Sequence, residues 1–371
     1  MSLDVKASRE LQSEVLAQNL CSLCGACVGM CPYLVAYKGR VVALDECNLT
    51  QGRCYVFCPR TSLDLDLLSQ TLFGVPYAAD ELGTTQQITM ARAADDAIRA
   101  KAQYGGTVTA LVSFALEQGL IDSAVLTASD ENILPGGTLA ASAAQVRDRA
   151  KSNYVAAPTL AAFNRESGRD DVERIGVVAT PCQALALAKM RASPLENRNN
   201  IDKLKLVIGL FCTWALRYDD LARFLSEKVP LGQIVKFDIP PPPANIFQVF
   251  TDSQRFDIPL DQVRPFIRPG CNVCLDMTAE FADISVGAAE GVAGWNTLIV
   301  RSDAGRELVE AAQAKGVIET KPLPELNLAH LKEASLNKKK RGLKKVVETT
   351  GSDQDLLYLR LSSETVTRLL S

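Results

Sequence analysis

Two apolar periods alternate through the middle of the chain. Thr107–Gln118 (TVTALVSFALEQ) carries its apolar residues at helical spacing and stops at Gly119, a residue suited to a left-handed C-terminal cap. Ile121–Thr127, Arg174–Ala179 and Lys205–Phe211 are apolar, largely β-branched runs of strand length. Helical patterns over Gln183–Arg191 and Tyr218–Lys228 lie between and after them. Ile234–Ile239 and Ile246–Thr251 are strand-like and bracket Pro240–Pro243. Proline has no amide to donate to a ladder, so this run predicts a stiff extended connection at a sheet edge. Ala282–Val286 and Thr297–Arg301 add two short strands. The alanine-rich stretch Gln86–Gln103 reads as a helix broken by Gly105-Gly106, and the pattern is helical again from Asp303 onward. Residues 1–20 read as a short amphipathic helix. Alternation of this kind predicts an α/β (mixed α+β) core.

Composition sets bounds around that core. The 371 residues suffice for a large core plus a small appended domain, and 47% hydrophobic with 22% charged residues is ordinary for a globular chain. The net charge of −3 gives no nucleic-acid footprint. No run approaches the ~18 uninterrupted apolar residues of a membrane span, and the first residues lack the apolar stretch of a signal peptide. Eleven cysteines without an export signal fit a reducing cytoplasm. The single histidine, His330, reads as a surface or helix-end residue, so demanding chemistry falls to cofactors rather than to a histidine-dependent nucleophile. Lys338, Lys339, Lys340, Arg341, Lys344 and Lys345 form a basic run read as a solvated helix face, with docking to an acidic partner as the sharper alternative.

The cysteines change the picture most. Seven lie between positions 21 and 58: Cys21, Cys24, Cys27, Cys31-Pro32, Cys47, Cys54 and Cys58-Pro59. The first four match the bacterial ferredoxin spacing C-x2-C-x2-C-x3-C-P, in which three thiolates wrap one cubane and the fourth serves another cluster. The second half is imperfect. Counting back from Cys58, cysteines are wanted at 54, 51 and 48; position 51 is Gln51, and the first ligand is displaced to Cys47. The natural grouping is Cys21, Cys24, Cys27 and Cys58 on one cluster, with Cys31, Cys47 and Cys54 left for a second. Three thiolates leave open a three-iron cluster or a four-iron cluster with a non-cysteine ligand. Zinc is disfavoured by the crowded spacing, and disulfides by the odd total and tight spacing.

Four cysteines remain. Cys182 follows a strand at a helix start, Cys212 ends a strand, and Cys271 and Cys274 form a C-x2-C pair after Pro269-Gly270. Strand ends and helix starts of an α/β sheet share the edge where ligands bind. These four thiols can therefore converge, although buried cysteines that merely fill a core fit the spacing equally well.

The stretches KAQYGGTVTALVSFALEQGLID (101–122), ATPCQALALAKM (179–190), IGLFC (208–212), GCNVCLDMTAEFADISVG (270–287) and GWNTLIVRSDAG (294–305) resemble the coenzyme F420 hydrogenase/dehydrogenase beta subunit family. The resemblance implies a flavin-binding core carrying FAD and one [4Fe-4S] cluster, the latter on Cys182, Cys212, Cys271 and Cys274. It divides the chain into a small N-terminal ferredoxin-like iron–sulfur module (1–60), a connector (61–85), the flavin and cluster core (86–325) and a helical basic tail (326–371). Candidate flavin contacts are Gly105 and Gly106 opening a helix toward a pyrophosphate, with the hydroxyls of Thr107 and Thr109. Asn153-Tyr154, Thr180, Gln183, Trp295 and Asn296 complete the candidate set. Asn153 stands where many relatives carry lysine, which removes a positive charge and bears on whether the anionic F420 is the second substrate.

The implied function is an iron–sulfur flavoprotein oxidoreductase. It would pass electrons between a hydride carrier at FAD and clusters leading to ferredoxin or a partner subunit, with no side chain needed as acid or base. The alternatives are a relay subunit of a hydrogenase, formate dehydrogenase or heterodisulfide reductase complex, and a ferredoxin-fed reductase of another organic substrate.

Overall fold

The computed structural model describes residues 3–77, 80–240 and 243–371. Eight strands form its central sheet: β1 (Gln87–Ala93), β2 (Ser123–Ser129), β3 (Pro135–Ala140), β4 (Ile175–Ala179), β5 (Leu204–Leu210), β6 (Ile284–Ala288), β7 (Asn296–Val300) and β8 (Ile318–Lys321). They are ordered β8-β1-β7-β6-β5-β4-β2-β3. The central four, β2, β4, β5 and β6, run parallel. β3 closes one edge antiparallel, and β7, β1 and β8 extend the other by antiparallel pairing.

The strands are buried on both faces, which is why their sequences read as near-continuous apolar runs. Ala124, Leu126, Leu206, Ile208, Ile284, Val286 and Leu298 pack on α1 (Thr107–Glu117) through Leu111 and Phe114. The alternate residues Val125, Val177 and Val207 face the opposite way, against Leu160 and Phe163 of α2 (Leu160–Glu166) and Ala184 and Leu187 of α3 (Pro181–Arg191). The strands Ile234–Asp238, Ile246–Thr251 and Arg255–Pro259 make a separate small sheet covered by the helix Tyr218–Ser226. The first-named strand and its neighbour bracket the proline run, of which Pro241 and Pro242 lie outside the described residues.

The N-terminal segment is helical over Ser8–Leu16, its second part as a π-helix, and buries Leu11 and Val15. With the cysteine loops and the hairpin Leu34–Tyr37/Arg40–Ala43 it forms a small unit seated on α3 and on the long helix α5 (Glu325–Thr350), which follows α4 (Asp303–Ala314). Leu343 and Val346 of α5 and Tyr358, Leu359 and Val366 beyond it belong to the same core.

Two expectations are corrected. Gln86–Gln103 is not a helix: Gln87–Ala93 is a strand, and only Asp96–Lys101 is helical, capped by Asp95, whose side chain accepts from the amide of Ala97. The alanines favour a helix locally, but β7 and β8 offer a ladder on both sides, and tertiary pairing overrides propensity. The chain beyond Asp303 is not wholly helical, since Ile318–Lys321 joins the sheet and Leu359–Arg360 pairs with Leu63–Asp64. His330 is exposed on α5, as expected. Among the described residues no helix is long and apolar enough to cross a membrane.

Candidate redox site

The parallel strands end at one edge of the sheet, and that edge collects the second cysteine set. Cys182 stands in the first turn of α3, behind Pro181, and Cys212 lies two residues past the end of β5. Cys271 lies within the helical turn Pro269–Asn272, and Cys274 follows it. Gly270 fits there because a Cβ would lie 2.3 Å from the Leu20 carbonyl oxygen of the N-terminal unit. Burial pushes the Cys212 thiol up, and Cys271, Cys182 and Cys274 are close enough to add their repulsion. The amide of Ala215 donates to the Cys271 sulfur at 3.4 Å, and the Cys212 amide donates to the Met277 carbonyl at 2.8 Å. The structure thus brings these four thiols together.

It also sorts the other seven into two groups. Cys21, Cys24, Cys27 and Cys58 line one enclosed cavity with Leu11, Val15 and Val41. Burial holds Cys58 up at about 11 and raises Cys24 and Cys27 well above the ordinary thiol value. Cys54 is pushed up to about 11 by burial, with Cys31 and Cys47 as its neighbouring thiols. Gln51, where the motif wants a cysteine, is exposed. The groups adjoin one another: Cys24 feels Cys182, and Cys27 feels Cys54. Among the described residues no three side chains close tightly around a single metal ion. The thiols of the first group instead surround a space.

Three buried cations face these thiols, and the sequence reading missed all of them. Arg60 is 4% exposed; its Nη2 donates to the Gly270 carbonyl at 3.0 Å and its Nη1 to the Tyr358 hydroxyl at 2.5 Å, while its Nε has no partner. Lys189 donates to the Thr61 hydroxyl at 2.8 Å and the Ser62 carbonyl at 2.9 Å; burial pulls its ammonium down to about 8, against the pull of Cys58. Lys338 donates to the Cys212 carbonyl at 2.5 Å. Burial disfavours its charge, but Cys274 and Cys212 more than offset this and hold it above the ordinary value. Burial likewise opposes the Cys274 thiolate, yet Lys338 and Arg60 together bring that thiol below its ordinary value. Buried cations of this kind need anionic partners. Iron-bound thiolates supply them, so the residues present fit anionic clusters.

This corrects the basic run. Lys338 and Lys339 are buried rather than solvated, Lys339 in an ion pair with Glu280 whose side chains are each 2% exposed. A readable signal existed: Ser335, Lys338, Lys339, Gly342, Leu343 and Val346 recur at helical spacing and form the inward stripe of α5. Lys189 showed a comparable signal, a lone charge within ALALAKM.

The flavin candidates lie at the same edge, in differing situations. Gly106 has φ +74° and begins α1; a Cβ on Gly105 would fall 2.8 Å from Asn296 Oδ1. The Thr107 hydroxyl and amide both donate to Asn296 Oδ1, at 2.9 and 3.3 Å, and Asn296 Nδ2 donates to the Gly287 carbonyl. Among the described residues the amides of Val108 and Thr109 and the Thr109 hydroxyl have no partner, so this helix start keeps donors for an anion. Gln183 Oε1 accepts from the Thr180 amide, and its Nε2 donates to the Ala157 carbonyl, so this pair caps α3. The Thr180 hydroxyl lies 3.4 Å from the Cys182 sulfur. Tyr154 accepts from Gln103 Nε2 at 2.6 Å and from the Ile239 amide at 3.1 Å, joining the small sheet to the segment before α1. Asn153 accepts from the Ser129 hydroxyl at the end of β2. Trp295 is buried beside Met90 and Ala289, with the Arg92 and Lys321 cations over its ring.

A mixed sheet with four thiols and a helix start with free amides at one edge, set against an N-terminal unit that carries seven more thiols, defines a cysteine-rich α/β class suited to redox work. Comparison with known proteins agrees with it. Residues 88–164 match the N-terminal part, and residues 172–325 the C-terminal part, of the family described as "Coenzyme F420 hydrogenase/dehydrogenase, beta subunit". The chain is 32% identical over 270 residues to the coenzyme F420 hydrogenase subunit beta of Methanothermobacter thermautotrophicus, covering 71% of this chain and 95% of that one. It is 28% identical to the coenzyme F420-dependent sulfite reductase of Methanocaldococcus jannaschii over 86% of this chain and half of that protein. A chain in a structure of the F420-reducing [NiFe] hydrogenase complex from Methanosarcina barkeri superposes with a TM-score of 0.67 at 30% identity, covering 72% of this chain and 93% of that one. The protein belongs to the coenzyme F420 hydrogenase/dehydrogenase beta subunit family.

Proposed function

We propose that the chain is an iron–sulfur flavoprotein oxidoreductase that passes electrons between a hydride carrier of the F420 type and a one-electron partner. Cys182, Cys212, Cys271 and Cys274 would hold a core [4Fe-4S] cluster, and Cys21, Cys24, Cys27 and Cys58 a second one. Cys31, Cys47 and Cys54 would hold a third, as a [3Fe-4S] cluster or with a ligand other than cysteine. FAD would lie along the sheet edge, its pyrophosphate at the free amides of Val108 and Thr109. When bound, the clusters carry electrons singly, and FAD exchanges them in pairs with a hydride carrier.

One observation carries this reading: the three thiol groups lie within electrostatic reach of one another in series, Cys54 of Cys27 and Cys24 of Cys182. The chain's own residues do the rest. Cys24 and Cys27 are buried and the other six cysteines of the first two groups half-buried, which limits the water that reaches them. Arg60, Lys189 and Lys338 balance the charge that the thiolates bring. The contact of Gly287 with Phe211, beside Cys212, links Asn296 and the helix start to the core thiols.

Relay service within a larger assembly is the second reading. It is favoured by the exposed Tyr33, Tyr37, Leu44 and Leu49 around Cys31 and Cys47. A cleft of about 510 Å³ bordered by Cys31 and Arg165 is open there to a partner such as ferredoxin or another redox protein.

Anaerobic purification with counting of iron, sulfide and flavin tests the assignment. Cys182→Ala should lose about one cluster's iron while the rest persists; unchanged iron removes the core site. Anaerobic assay with F420, NAD(P)H and reduced ferredoxin then separates the substrates. Inactivity with all three, together with co-purification with a dehydrogenase, selects the relay.

A further inference from the structure

The core thiols are bracketed by cations from outside the two family-matched segments, which end at residue 325. α5 approaches so closely that a Cβ on Gly342 would lie 2.8 Å from the Cys274 carbonyl oxygen. One turn earlier, Lys338 reaches the Cys212 carbonyl at 2.5 Å and is 3% exposed. Among the described residues no carboxylate forms a contact ion pair with it: its neighbour Lys339 takes Glu280, and Asp276 acts on Lys338 only from beyond ion-pair distance. From the other side Arg60, next but one to Cys58 and held by Gly270 and Tyr358, is near enough to act on Cys274, and its Nε has no partner. Two positive charges thus stand against four cysteines that would be negative as cluster-bound thiolates. An electron added to anything those cysteines hold arrives next to two cations, with Asp276 as the carboxylate that acts on the same site.

We propose that Lys338, with Arg60 as its counterpart from the N-terminal unit, sets the reduction potential of the core cluster, drawing it upward so that electrons settle on the core next to the flavin edge. This deepens the reading of the core site and rests on that reading. The step acted upon is the gain of one electron by the oxidised cluster from a one-electron donor; no bond forms or breaks, and no proton moves. Neither residue is a ligand or touches substrate, so both are positioning residues that act through charge. In the low-polarity interior, a unit charge within ~12 Å at an effective dielectric of ~20 changes such an equilibrium about tenfold.

The test uses the full chain, purified or reconstituted anaerobically, with Lys338→Gln and Lys338→Arg. Glutamine keeps a donor for the Cys212 carbonyl and removes the charge; arginine keeps the charge. Iron and sulfide are counted first, then the core signal is followed by EPR during a dithionite titration, with Cys182→Ala identifying that signal. Lys338→Gln should make core reduction about tenfold less favourable, ~59 mV for one electron, with the other signals in place and Lys338→Arg near the parent. Parent-like potentials in a fully loaded Lys338→Gln overturn the proposal. Should Lys338→Gln lose the core iron, Arg60→Gln is titrated instead, with the same downward shift supporting and an unmoved potential refuting it. A parent chain in which Cys182→Ala removes no iron fails the core assignment itself, a separate result.

Discussion

Asn296 Oδ1 accepts from both the hydroxyl and the amide of Thr107, at 2.9 and 3.3 Å, and so pins the start of α1 to the first residue of β7. Its Nδ2 is engaged with the Gly287 carbonyl at 3.0 Å, which places one side chain between the helix start and β6, whose Gly287 stands against the ring of Phe211, the residue before Cys212. Asn296→Ala leaves the buried Thr107 hydroxyl and amide without partners. Each unsatisfied group costs about 1–3 kcal/mol. We expect a lowered Tm and loss of flavin ahead of iron, measured by thermal unfolding and by cofactor counting. Flavin retained at the parent level would give the pair a purely structural role.

Much of this was legible in the sequence, and the misses share a cause. Strands such as Ile175–Ala179 and helices such as Pro181–Arg191 stand out because their partners lie on both faces, so local pattern and tertiary burial agree. The two thiol groups of the N-terminal module follow from the spacing around Cys58 and Cys54, whereas spacing left Cys182, Cys212, Cys271 and Cys274 open and only the family resemblance grouped them. Gln87–Ala93 was hidden because its alanines favour one state and its ladder partners, more than 200 residues away, dictate another. Lys338 was hidden inside a run of like charges, where only the helical spacing of Gly342 and Leu343 separates the inward lysines from the solvated ones.

The loop carrying the first cysteines is held from α2. Asn164 Nδ2 donates to the carbonyls of Gly25, Ala26 and Val28, and its Oδ1 accepts from Asn199. Gly25 has φ +89°, and a Cβ there would lie 2.6 Å from the Pro158 carbonyl oxygen and 2.8 Å from the Ala161 nitrogen. Gly25→Ala therefore meets backbone on two sides and also carries a left-handed penalty of about 1–2 kcal/mol. We expect it to lose iron from the Cys21, Cys24, Cys27 and Cys58 group and to become protease-sensitive in residues 1–60. A fully loaded, parent-stable Gly25→Ala would contradict the close approach.

Lys339 and Glu280 form a buried pair that also engages the Tyr77 hydroxyl, which lies 2.8 Å from Glu280 Oε2 and 3.1 Å from Lys339 Nζ. The charge of Glu280 holds the Lys339 ammonium above its ordinary value despite burial. Removing one member strands the other: Lys339→Met should cost about 3–5 kcal/mol. The double variant Lys339→Met/Glu280→Leu should recover part of that loss. Chemical denaturation checks both, and a double variant no better than the single would show that the pair is not the dominant contact there.

The buried thiols predict opposite pH responses for the stripped and the loaded chain. Burial raises Cys54 and Cys58 from 9.0 to about 11. A thiol whose folded value lies above its unfolded value stays protonated in the folded chain after the unfolded chain has released its proton. The unfolded state then binds fewer protons, so stability falls as pH rises. The stabilisation is fully present below about 9 and is lost between about 9 and 11, at up to about 1.4 kcal/mol per pH unit for each thiol. With iron bound, those protons have already been displaced by metal and the thiolate charge is met by the metal, so the slope should vanish. Thermal unfolding of chelator-stripped and anaerobically loaded chain from about pH 8 to about pH 11 reads both responses. We expect the stripped chain to lose Tm steadily above about pH 9 and the loaded chain to hold. A loaded chain that falls in parallel would mean that Cys54 and Cys58 still carry their protons, and would remove both from the set of ligands.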